Sequence, residues 1–179
     1  MIVVSENLAG IVRSLKICDQ ALVEEFSIKI RLDRKIYRLR KPVDDLPSIK
    51  YGSHIDHKLY FGDLETITET LTLGPGECAL ACSQDKYIMP AGYFGLIQTK
   101  GSLARIFVSA TANDGQIEPG YSGKITLELI NHSPFSIEIR PSAIVAQMFV
   151  FRCSSEASKL YNGRYQGADV PTLPNFDSI

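Results

Sequence analysis

The chain has 179 residues, 45% of them hydrophobic and 22% charged, a balance that fits one globular domain large enough to bury a sizeable core. Its 19 basic and 20 acidic side chains leave a net charge of -1, which excludes binding of nucleic acid or an anionic membrane through bulk charge. No run of about 18 apolar residues is present, so no membrane-spanning helix is expected.

The start, MIVVSENLAGIVRSLK, has a short apolar piece but neither a basic leader nor a cleavage pattern, so a cytoplasmic protein is expected. Residues 5–20 predict a helix, because Leu8, Ile11, Val12 and Leu15 recur at spacings of three and four, with Ser5 as its N-cap. From Phe26 the period changes. FSIKIRLDRKIYRL alternates apolar and polar residues and predicts a half-buried strand. Residues 41–60 carry Pro42, Pro47, Gly52 and several charges, which predicts a long irregular segment.

Beyond residue 60 the pattern is strand and turn. ITETLTL, CALACS, FGLIQTK, RIFVSA, KITLELIN, SIEIR and IVAQMFVF predict strands, separated by Gly- and Pro-rich turns such as GPGE, PAGY and NDGQ. Strands recurring every ~8–12 residues point to a mainly β sandwich or barrel. The sequence after Cys153 is polar and turn-rich and reads either as disordered or as an arm that orders on a ligand or a neighbouring subunit. The whole reads as one domain: an N-terminal helix, strand and loop (1–60), a β core (61–153) and a C-terminal arm (154–179). Cys18, Cys78, Cys82 and Cys153 have no CxxC spacing, although Cys78 and Cys82 are four apart on one strand face, and with three histidines they predict reduced thiols rather than a zinc site.

Three stretches carry chemistry. In KITLELIN, alternation places Glu128 on the face of Lys124, Thr126 and Ile130, opposite Ile125, Leu127 and Leu129. That face is either solvated or the wall of a cleft in which Glu128 moves protons. In LIQTKGSLAR, Lys100, Gly101, Ser102 and Arg105 bring cations, a hydroxyl and accessible backbone N–H groups together, a set suited to phosphate oxygens. In NDGQIEPGYSG, an acid (Glu118) and an aromatic (Tyr121) flank a Pro-Gly turn, where the acid can bond a sugar hydroxyl and the ring can stack on the sugar.

Taken in order, PGECALACSQDKYIMPAGYFGLIQTKGSLAR, NDGQIEPGYSGKITLELIN, IEIRPSAIVAQMFVF and GRYQG resemble the dCTP deaminase branch of the dUTPase-like superfamily over roughly residues 70–170. The resemblance implies a distorted jelly-roll β-barrel with a short N-terminal helix, a homotrimer with active sites shared between subunits, and a deoxynucleoside triphosphate (dCTP, with dUTP and dTTP as further candidates) bound with Mg²⁺ through its phosphates. It implies zinc-independent deamination of dCTP to dUTP and ammonia, with continuation to dUMP and pyrophosphate left open. The signature of the zinc-dependent deaminases is absent. The implied catalytic residues are Glu128 as proton shuttle with Arg105, Ser102 and the backbone of Asp114. The implied nucleotide-binding residues are Lys100, Gly101, Ser102, Gly115, Ile117, Glu118, Tyr121, Gln147, Tyr161, Arg164 and Tyr165. The chain departs from the family pattern at Gly101, where a serine is usual, at Asn113-Asp114 in place of Thr-Ala, at Glu118 in place of Asp, and at Lys29, where the early Ser-x-Asp strand carries its acid. A dUTPase-type pyrophosphatase working through Glu118, and an inactive nucleotide-binding homologue, are the two alternative readings.

Overall fold

The computed structural model describes residues 1–44, 46–112 and 114–176. Eleven strands and three short helices follow in the order β1 (Ile2–Val3), α1 (Ser5–Leu15), β2 (Ile28–Arg38), α2 (His57–Tyr60), β3 (Glu65–Thr66), β4 (Leu71–Leu73), β5 (Cys78–Ile88), β6 (Tyr93–Thr99), α3 (Gly101–Ala104), β7 (Val108–Ser109), β8 (Gln116–Ile117), β9 (Ser122–Asn131), β10 (Ile137–Ile139) and β11 (Ile144–Arg152).

The helix is shorter than its pattern predicts. Leu8 and Val12, four apart on one face, are fully buried, but Leu15 is exposed. The chain leaves the helix at Lys16, which takes a left-handed conformation (φ 54°) and closes the last turn through its N–H on the Val12 carbonyl. This turn brings Ile17 into the core. Ser5 is the first helical residue rather than the cap; Val4 is the N-cap, and the Ser5 hydroxyl donates to Glu25 instead.

Two predicted strands also differ. ITETLTL is extended only at its end, where Leu71–Leu73 forms β4 and pairs with β10; β3 lies just before it, at Glu65–Thr66, and pairs with β2. RIFVSA is extended only at Val108–Ser109. Residues 101–104 before it form α3, and Phe107 has φ 60°, which interrupts any extended run. Ile106 and Phe107 are exposed, so their apolar character does not report burial.

The main sheet runs β7-β9-β5-β2-β11-β6-β8, antiparallel at every pairing. It curls into a half-barrel. The curl brings the β7 end toward β6: Ala110 N–H, just past β7, donates to Thr99 Oγ1 of β6 at 2.9 Å. The inward residues of β9 (Ile125, Leu127, Leu129 and Asn131) are buried, as the alternation predicts. Asn131 is satisfied there: its amide donates to the carbonyls of Leu73 (2.9 Å) and Phe135 (2.7 Å), and its oxygen accepts from Ser133.

Between Cys82 and Lys86 the β5–β9 register shifts, and Ser83 fills the gap by accepting the Ile125 N–H at 2.8 Å. Leu127 sits at the centre of this pairing, opposite Ala81, with no exposed surface. Leu127→Ala is expected to cost about 2–5 kcal/mol of stability through lost burial and a residual cavity, seen as a lowered urea midpoint.

Candidate functional site

Where the curled sheet closes, β9 meets β8 and β6 across a cavity of about 390 Å³. Its wall includes Leu80 of β5, Ile97 of β6, Gln116 and Ile117 of β8, and Tyr121, Ile125, Thr126 and Glu128 at and along β9. The face of β9 that bears Glu128 is therefore a cleft wall, half-buried from Lys124 to Ile130. A backbone donor reaches the carboxylate: Asp114 N–H lies 3.3 Å from Glu128 Oε2. Thr111 bridges to Glu128 through the backbone, so both the strand and the segment carrying Asp114 fix this carboxylate. Leu127 and Leu129 on either side are locked in the core, which holds Glu128 pointing the other way.

The 115–121 segment supplies the far wall. Gly115 packs so closely on β6 that an added Cβ would sit 2.6 Å from the Ile97 carbonyl oxygen. Gly120 has φ +94°, the backbone conformation that its Pro-Gly turn needs. Ile117 and Tyr121 are buried, whereas Asp114 and Glu118 are exposed at the opening. The Tyr121 hydroxyl donates to the Lys124 carbonyl, and its ring lies tilted against Tyr161 with centroids 5.7 Å apart. Burial, and then the neighbouring Tyr161, pushes the Tyr121 phenol well above its usual range and keeps it a donor. On the same face as Glu128, Lys124 pairs with Asp33 in β2. Burial opposes the ammonium charge, but Asp33 outweighs it and raises the Lys124 pKa above its ordinary value.

The C-terminal arm is ordered against its own chain. Tyr161 N–H donates to the Pro119 carbonyl (2.8 Å), Gly167 N–H to Ser122 (2.7 Å) and Lys124 N–H to Ala168 (2.7 Å), so the arm runs beside β9. Further on, the hydroxyls of Thr172 and Thr126 lie 2.8 Å apart and Thr172 N–H donates to Thr126 Oγ1 at 3.1 Å. The Pro174 carbonyl accepts from His57 Nε2 at 2.5 Å, and the Phe176 ring lies 5.2 Å from that of Tyr51. The irregular segment before α2 thus clasps the arm, and Thr172 and Pro174 close one side of the cavity. Behind the arm a second cavity of about 370 Å³ holds Arg164, His54 and His57, and Tyr165 faces both spaces. The Arg164 guanidinium donates to the Asn175 carbonyl.

The cavity gathers Asp114, Ile117, Glu118, Tyr121, Glu128, Tyr161 and Tyr165. It does not gather the basic turn. Ser102 on α3 and Arg105 at its C-cap are exposed, and the Arg105 guanidinium lies 3.0 Å from where a Gly101 side chain would begin. Lys100 bonds Glu24 (3.3 Å) and Gln147 (3.5 Å). Asn113 lies outside the described residues. Phe61, Leu80, Ile97, Gln116, Thr126, Thr172 and Pro174 line the cavity without having been singled out in the sequence. Only Thr126 carried a signal, its shared face with Glu128.

The model of the dCTP deaminase-like family matches residues 6–153. The chain belongs to the dCTP deaminase-like family. It is similar to the "dCTP deaminase, dUMP-forming" of Corynebacterium glutamicum, 34% identical over 164 residues that cover 86% of this chain and 82% of that one. The protein of the same description from Parafrankia sp. is 33% identical over 178 residues, covering 94% and 84%. Among solved structures, the 2'-deoxycytidine 5'-triphosphate deaminase of Agrobacterium tumefaciens aligns with TM-score 0.60 at 21% identity. That alignment covers 83% of this chain and 47% of the longer one, and it shows a shared fold. The mainly β architecture expected of a dUTPase-like chain is the one observed. Family membership also gives the cavity a frame of reference, since Glu128 and the Lys100–Arg105 turn both lie inside the matched residues.

Proposed function

We propose that this chain hydrolyses dCTP to dUTP and ammonia and carries the product on to dUMP and pyrophosphate. Relatives described as dUMP-forming dCTP deaminases, aligned over most of both chains, support the reaction. Glu128 supports the chemistry: it is a half-buried carboxylate on a rigid strand, held by a backbone N–H inside a cavity. In this reading a water attacks C4 of cytosine while Glu128 takes its proton. Glu128 passes that proton to N3, then takes the proton of the new C4 hydroxyl and delivers it to the amine, so that the C4–N bond breaks, ammonia departs and the C4 carbonyl forms. Tyr121 packs the deoxyribose beside Ile117, and Glu118 bonds its hydroxyl.

One observation bears on assembly. The described lining of the cavity has three carboxylates (Asp114, Glu118 and Glu128) and neither Lys nor Arg. A triphosphate held there needs cations from outside the wall. Arg164 lines the second cavity behind the arm, and Lys100 and Arg105 lie outside the cavity wall. We therefore read the active unit as a homotrimer in which the Lys100–Arg105 turn and Gln147 of one subunit complete the cavity of the next, with Ser102 and Arg105 orienting the water and Glu128. Among the described residues no group of three or more His, Cys, Asp or Glu side chains is arranged to hold a metal ion. The donor set fits Mg²⁺ carried by the phosphate oxygens of the nucleotide, where it offsets their charge.

The deciding experiment incubates the protein with each of the four deoxynucleoside triphosphates and Mg²⁺ and follows ammonia and pyrophosphate together. Ammonia and pyrophosphate in equal amounts are expected from dCTP, with ammonia from no other nucleotide. Pyrophosphate from dUTP with no ammonia from dCTP would overturn the deaminase assignment.

A further inference from the structure

Four side chains from four separate pieces of chain converge on one face outside the cavity. Lys29 of β2 and Gln147 of β11 are direct cross-strand partners, which puts their side chains on the same side of the sheet. Lys100 follows the end of β6, its backbone tied to β11 by its N–H on the Val145 carbonyl at 2.8 Å. Glu24 is held in the turn before β2 by its N–H on the Ser27 carbonyl at 2.8 Å. The Glu24 carboxylate spans the two cations: Oε1 lies 3.5 Å from Lys29 Nζ and Oε2 lies 3.3 Å from Lys100 Nζ. The Gln147 amide oxygen takes a further bond from Lys100 at 3.5 Å. The three charged side chains are about one-third exposed or less, at 27%, 34% and 29% for Lys29, Glu24 and Lys100.

Two features distinguish this cluster from an ordinary surface ion pair. Two cations share one anion, so the cluster keeps a net positive charge. The carboxylate also bridges two different strand ends and fixes two long, flexible stems at once. Partly exposed pairs of this kind add little stability, but fixing a lysine before an anion arrives removes an ordering cost from binding. The acid that the resembling Ser-x-Asp strand carries is Lys29 here, and Glu24, five residues earlier in the chain, supplies a carboxylate to the same place.

We propose that Glu24 is a positioning residue that sets the Lys100 ammonium for the phosphates of a nucleotide, and that Lys29 is a second phosphate-directed cation held by the same carboxylate. This rests on the reading that Lys100 serves a triphosphate. Burial tends to raise the Glu24 pKa, but Lys100 and Lys29 outweigh it and hold the group below its ordinary value, ionised at neutral pH. Removing the Glu24 charge leaves both lysines in place and makes the cluster more positive. If Glu24 were only a counterion, its loss would tighten anion binding; if it positions Lys100, its loss weakens binding. The sign of the effect therefore separates the two roles.

The test measures KM and kcat for ammonia release from dCTP, and the Kd of Mg²⁺-free inorganic tripolyphosphate by calorimetry, in the full-length protein and in Glu24→Gln and Lys29→Ala. Each variant is expected to raise the dCTP KM about tenfold with kcat within about twofold, and to weaken tripolyphosphate by a similar factor. An unchanged or lowered KM in Glu24→Gln, or a loss confined to kcat, overturns the positioning role. Unchanged tripolyphosphate binding in Lys29→Ala overturns the second cation. A lowered melting temperature in Glu24→Gln would transfer the decision to Lys29→Ala, which removes the ammonium paired with Glu24. Should the native protein release no ammonia from dCTP, the function proposed above fails. The cluster is then judged on tripolyphosphate alone, where native binding that Glu24→Gln weakens supports it and equal or absent binding overturns it.

Discussion

Glu128→Gln is expected to lower ammonia release from dCTP by about 10²–10⁴-fold, the range lost when a positioned acid–base group is removed. The dCTP dissociation constant should stay close to the native value. The substitution keeps the shape of the side chain and leaves an oxygen to accept the Asp114 N–H. Its neighbours Leu127 and Leu129, fully buried, still fix the strand. What disappears is the capacity to take a proton from water and return it. Glu118 serves as the comparison, because it is exposed at the mouth of the same cavity. Glu118→Gln should raise KM and leave most of kcat, since a bond to the sugar acts alike on ground state and transition state. The measurement is ammonia release in single-turnover conditions beside equilibrium dCTP binding. Undiminished turnover in Glu128→Gln removes the residue from the chemistry, and loss of binding in parallel with turnover makes its role one of recognition.

By its periodicity the sequence reveals the strand that carries Glu128 and not what covers it. The two-residue period of KITLELIN correctly separates Leu127 from Glu128, because one face of that strand packs on a core that the chain itself supplies. The same period cannot say what covers the other face. Here it is covered by β8, two residues long, and by an arm some 40 residues downstream whose Thr172 bonds Thr126. Neither has a periodicity to read. The RIFVSA strand falls short for a related reason. An apolar run, Ile106-Phe107-Val108, predicts a strand only if its apolar residues point inward, yet Phe107 is 68% exposed and the chain before it coils into α3. The Gly-Pro punctuation, by contrast, marks real turns, because Gly120 at φ +94° does what few other residues can.

Mixing two dead variants is expected to restore activity. Glu128 lines the cavity, whereas Arg105 is exposed and does not line it. If each active site takes its cavity from one subunit and its basic turn from the next, Glu128→Gln and Arg105→Ala damage opposite halves. A site then works when an Arg105→Ala subunit contributes the cavity and a Glu128→Gln subunit contributes the turn. In randomly assorted cyclic trimers from equal amounts of the two variants, roughly one site in four has that arrangement. Ammonia release should therefore climb from near background in each variant alone to about a quarter of native in the mixture, provided the subunits are co-expressed or allowed to exchange. Activity that stays at background, in a mixture shown by tagged subunits to contain both variants, would place both residues in the same subunit's site. α3 and the cavity would then have to approach each other within one chain, since Arg105 does not line the cavity as it stands. Sharing between subunits needs no such rearrangement, because Arg105 is already exposed and the cavity already lacks a lining cation among its described residues.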